Sequence, residues 1–85
     1  MVLAVCDKGL VGKTLKEGKI ELSVSQGFFG GEQITEAELR ELLHEFENIN
    51  IVGNKAVKIA LEEELALEES IIEIENVKHV QIFKI

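Results

Sequence analysis

Between Lys19 and Ile49 the spacing of apolar residues changes from two to a helical repeat, and this change limits the fold more than any other feature of the chain. Lys19–Ser25 alternates, with Ile20, Leu22 and Val24 on one face and Glu21, Ser23 and Ser25 on the other. A two-residue period of this kind is a half-buried strand. Further on, Leu39, Leu42, Leu43, Phe46 and Ile49 fall on one side of a helix. Thr35 with Glu38 three residues later forms a capping box, and Ile34 ahead of the cap can pack on Leu39 as a hydrophobic staple. The helix is expected to end near Glu47 or Asn48. A chain of 85 residues must therefore carry both a sheet and a helix laid against it.

The flanking segments extend this pattern. Val2–Cys6 reads as a first strand, Asp7-Lys8-Gly9 as a turn, and Leu10–Leu15 as a second strand. Lys16-Glu17-Gly18 is another turn, so the first three strands form an antiparallel meander. Gly12 inside the second strand marks a bulge or a close backbone approach. Ile51-Val52-Gly53 is too short for a full element and reads as a single-bridge strand or a tight connector. Asn54 caps a second helix over Lys55–Glu64, with Ala56, Ile59 and Ala60 as its buried stripe. Leu65 to Ser70 is a connector. Ile71–Glu75 and Lys78–Ile85 read as final strands, although Asn76-Val77 between them lacks the glycine of the favoured hairpin turns. The expected architecture is α+β: a single small domain over residues 1–85 with a largely antiparallel sheet. That sheet comprises a three-stranded N-terminal meander plus two C-terminal strands, with two helices packed on one face.

Composition narrows the partners. At 46% hydrophobic and 29% charged, the chain has the content of a folded protein. Sixteen acids against nine bases give a formal charge of −7. That counts against loose, charge-driven attachment to nucleic acid or an anionic membrane. Lys8, Lys13, Lys16 and Lys19 make the first quarter the least acidic part. Cys6 is the only cysteine, so no internal disulfide forms, and its apolar neighbours point to a buried, reduced thiol. No apolar run approaches transmembrane or signal-peptide length, and the simplest location is the cytoplasm.

The chemical motifs are incomplete. Gly9-Leu10-Val11-Gly12-Lys13-Thr14 looks like a phosphate loop, but the pattern needs a glycine where Asp7 stands. A carboxylate there repels phosphate. His44 lies among Glu41, Glu45 and Glu47 on a wet helix face without the partners a metal needs. Cys6 has no electropositive neighbour to make it a nucleophile. Glu62-Glu63-Glu64 with Glu68 and Glu69 lacks the converging spacing of a cation loop and reads as a solvated face. No catalytic residue, metal or cofactor is expected.

Gln26-Gly27-Phe28-Phe29-Gly30-Gly31-Glu32 is different. Three glycines surround two of the four phenylalanines, between a strand and a helix start. Glycine allows positive φ and close backbone approach, and two large aromatics are costly to leave in water. Either one ring closes the core and the glycines only make the turn, or the loop presents a ring at a surface. Gly27, Phe28, Phe29, Gly30, Gly31 and Glu32 are the candidate binding residues, with Asn50, Gly53 and Asn54 expected beside them. His79, at the start of the last strand, is either a turn-stabilising surface residue or a further ligand-contacting group.

Gly27-Phe28-Phe29-Gly30-Gly31-Glu32, then Asn50-Ile51-Val52-Gly53, then Asn76-Val77-Lys78-His79-Val80-Gln81, together resemble the archaeal domain-of-unknown-function family 424. The likeness covers nearly the whole chain. The chain departs from the family's Gly-Val-Pro-His-Ala-Gln at its last segment. The resemblance implies a small cytoplasmic archaeal protein without an assigned activity. Three functions follow as expectations. The leading one is a non-catalytic binding module, with RNA or a translation-related protein as candidate partner. The second is a self-associating, homodimeric protein whose apolar end strands pair. The third is an enzyme using His79 with a glutamate or Asn50.

Overall fold

The computed structural model describes residues 1–84. In chain order the elements are β1 (Val2–Cys6), β2 (Thr14–Glu17), β3 (Ile20–Ser23), α1 (Gln26–Phe29), α2 (Glu36–Glu45), β4 (Asn48–Val52), α3 (Asn54–Glu62), a 3₁₀ turn at Glu68–Ser70, β5 (Ile72–Ile74) and β6 (Val77–Phe83). The class is α+β. The sheet is mixed: its order is β1-β4-β6-β5, with β1 and β4 parallel and the other pairs antiparallel. The β2–β3 hairpin stands apart as a second, two-stranded sheet.

The expected N-terminal meander is therefore corrected. β1 does not pair with β2; it pairs with β4, 46 positions on, from Val2↔Asn48 to Cys6↔Val52. Residues 7–13 explain why. Leu10 N donates to Asp7 O and Lys13 N to Leu10 O, so two successive turns redirect the chain instead of folding it straight back. The second strand consequently starts at Thr14, not Leu10. Before it, Gly12 N donates to Val24 O while Val24 N donates to Lys13 O. Two residues oppose one, which is the bulge that Gly12 signals.

Three further expectations shift. The first long helix keeps its capping box, with Thr35 and Glu38 bonded reciprocally, but ends at Glu45. Ile49 belongs to β4, where it is fully buried. Ile51 and Val52 are the end of this five-residue central strand, more than the single bridge or connector expected, and Gly53 follows it. The last strand closes at Phe83, and Ile85, placed in it by sequence, lies outside the described residues.

The helix expected at Lys55–Glu64 runs Asn54–Glu62, and Gly53, not Asn54, holds its cap position. Asn54 instead braces the β5–β6 turn: its Nδ2 donates to Asn76 O and its Oδ1 accepts from Lys78 N. Glu75 and Asn76 both have positive φ, the geometry of a tight hairpin turn that normally favours glycine. The brace from Asn54 supports the turn without one.

Apolar residues fill the face of the sheet under the helices and part of the other face. Leu39 and Leu43 of α2 and Ala56, Val57, Ile59 and Ala60 of α3 pack on Ile49, Ile51, Val80 and Ile82. On the opposite face the hairpin and its flanks place Leu15 and Val24 against Val52 and Ile74. None of the described helices is long and apolar enough to cross a membrane.

Candidate functional site

β1 is an edge strand, and the edge is lined by a groove of about 930 Å³. The strand's own backbone sets its floor. Asp7 N donates to Val52 O, so Asp7, and by alternation Val5 and Leu3, turn their amides toward β4. Ala4 and Cys6 therefore aim their N–H and C=O groups away from the sheet, into the groove. Leu39 and Leu42 of α2 and Ala56 and Ile59 of α3 form one wall. α1 and the segment from Gly30 to Thr35, which passes from one face of the sheet to the other, form the opposite wall.

The two phenylalanines divide their tasks. Their rings meet edge to face, 5.0 Å between centroids at 77°. Phe29 is half-buried and packs on the cluster that contains Val24 and Val52. Phe28 stays 47% exposed on the groove. One ring thus faces the interior and the other the surface. Gly30 is needed for close approach: its N–H donates to Gln26 O at 2.8 Å, and a Cβ there would overlap that carbonyl. The positive φ expected of this loop is absent; Gly27, Gly30 and Gly31 all have ordinary backbone angles.

The C-terminal end of the groove is closed by Asp7. Its carboxylate accepts from Lys55 N at 3.0 Å and Ala56 N at 2.9 Å, satisfying amides that the first turn of α3 leaves without partners. Five charged residues line the groove: Asp7, Glu32 and Glu36 against Lys8 and Lys55. Glu36 is held by Arg40 at 2.6 Å, and that hydrogen bond keeps its carboxyl below the usual range. Cys6 also lines the groove, and burial, then the neighbouring Asp7 charge, pushes its thiol up, which keeps it protonated.

Of the residues chosen from sequence, the groove gathers Phe28, Phe29, Gly30, Gly31 and Glu32; Gly27 is exposed on α1 and does not line it. Asn50, Gly53, Asn54 and His79 do not line it either. Gly53 is buried against Asp7, and Asn54 is committed to the hairpin turn. Asn50 and His79 meet each other instead, Oδ1 to Nε2 at 2.8 Å. Burial pushes the His79 pKa down, favouring the neutral ring. His44 lies 2.8 Å from Glu63, and Arg40 binds Glu62 and Glu63, so part of the acidic run ties α2 to α3. Sequence reasoning missed the edge of β1, Asp7, and the α2–α3 wall. The one signal for Asp7 was an acidic residue directly after an apolar strand.

A family model described as "Protein of unknown function (DUF424)" matches residues 1–85. The structure is also similar to the crystal structure of an uncharacterized conserved protein from Methanopyrus kandleri. The two share 33% identity at a TM-score of 0.74, over 99% of this chain and 83% of that one. No curated protein matches the sequence.

Proposed function

We propose that this chain, which belongs to the DUF424 family, is a non-catalytic binding module whose groove takes an extended polypeptide segment. The observation that carries this reading is the outward-turned backbone of Ala4 and Cys6 along an edge strand with apolar walls. An incoming strand gains main-chain hydrogen bonds from such an edge, and alternate side chains find the walls. Phe28 supplies an exposed ring for one of those side chains.

Charge favours a peptide over RNA. A single strand of RNA wants a basic track along its phosphates. This groove carries three carboxylates and two ammonium groups, in a chain of net charge −7. A neutral or basic segment with apolar residues at alternate positions fits it. The exposed Phe28 ring is the one feature that also suits stacking on an unpaired base.

The test is selection of random unstructured peptides against the immobilised full chain, followed by titration of the recovered sequence. Phe28→Ala is expected to weaken the recovered peptide roughly tenfold, a loss of about 1.4 kcal/mol. A labelled oligouridylate at low salt is the parallel arm. Binding of RNA, with no peptide recovered, would replace the polypeptide reading by the RNA one.

A further inference from the structure

The face of the sheet turned away from α2 and α3 is only half covered. The β2–β3 hairpin packs over Cys6, Val52, Ile74 and Val77. Beyond it, pairing sets two more rows across the strands: Val2, Asn48 and Phe83, then Ala4, Asn50 and Gln81. His79 and its pair Ile72 continue the same face toward β5. Val2 is 43%, Ile72 50% and Phe83 66% exposed, so an apolar rim surrounds a row of amides and one imidazole.

We infer that this half-face is where two copies of the chain associate, about a two-fold axis. Charge identifies the occupant. The chain carries −7, and two copies meeting on most surfaces would repel. None of the residues on these rows is a carboxylate or an ammonium group, and His79 is kept neutral by burial. Asn and Gln side chains both donate and accept, so a row of them complements itself when turned through a half rotation. The Oδ1 of Asn48 is shielded from solvent and has no hydrogen-bond partner among the described residues. That oxygen is already enclosed by its own chain, so the contacts between copies fall to the exposed Gln81 and to the rim of Val2, Ile72 and Phe83. This inference does not rest on the groove of β1.

The experiment is sedimentation velocity of the full chain from micromolar to millimolar concentration. The wild type is expected to shift from monomer to dimer. Phe83→Glu and Ile72→Glu, both at exposed positions, each place two carboxylates in the interface and are expected to stay monomeric with unchanged circular dichroism. Phe28→Glu, in the groove, is expected to associate like the wild type. A wild type that remains monomeric at millimolar concentration overturns the inference. So does a dimer that both rim variants retain, or one that only Phe28→Glu abolishes.

Discussion

The carboxylate of Asp7 fills the space that a side chain at Gly53 would need. Gly53 has φ +123°, and a Cβ built there would overlap the Asp7 side chain. The same carboxylate accepts the Lys55 and Ala56 amides. The end of β1, the end of β4 and the start of α3 are thereby locked at one point, which also closes the groove.

Asp7→Ala removes this cap and is expected to cost about 1 kcal/mol, measured as a shift in the urea midpoint. Gly53→Ala is expected to cost about 1–3 kcal/mol, because it adds backbone strain to the overlap. The two losses should not add: with Asp7 gone, the overlap is relieved and the double variant falls short of the sum. Additive losses would show that the two residues are not coupled.

That lock was not legible in the sequence, because it joins residues 48 positions apart. Local patterns fared better. The capping box at Thr35 and Glu38 and the alternation through Ile20, Leu22 and Val24 depend on near neighbours, and both hold their elements. Ile49 misled because it stands three residues after Phe46 and so continues a helical stripe. The Asn-Ile-Asn-Ile-Val run suits a strand, and burial at the centre of the sheet decides the outcome. Parallel pairing of β1 depends on a connection of 41 residues, 7–47, that carries a hairpin and two helices. Nothing in Val2–Cys6 alone announces it. Half the site was visible as the Phe28–Glu32 loop; the other half is an edge that exists only once the sheet has assembled.

Asn54→Ala is expected to loosen the β5–β6 turn, where Glu75 and Asn76 are held at positive φ. It removes one donated and one accepted hydrogen bond. Because the site is exposed, the expected loss is about 1 kcal/mol. Amide exchange should quicken at Lys78 before the rest of β6. Unchanged exchange there would mean that the turn holds itself.

Stability should fall with acid in two separate stages. His79 is shifted below its ordinary 6.5 by burial. The unfolded chain then binds the proton more readily, so this contribution is present above about 6.5 and lost as pH falls through the folded value. Glu36, Glu38 and Glu63 lie below their ordinary 4.5: Glu36 through Arg40, Glu38 through the Thr35 amide, Glu63 through His44 and then Arg40. Their contribution is present above about 4.5 and disappears as pH falls through the lowered values. Urea midpoints recorded against pH separate the stages. His79→Gln should flatten the first alone, and Arg40→Ala should flatten part of the second.

Backbone amide exchange at β1, followed residue by residue with and without the selected peptide, tests the binding account most directly. In the free protein the Val5 and Asp7 amides, which face β4, should exchange slowly, and those of Ala4 and Cys6 rapidly. Bound peptide should slow Ala4 and Cys6 and leave Val5 and Asp7 as they were. Rapid exchange at Ala4 and Cys6 under saturating peptide, with protection appearing elsewhere, would contradict the account.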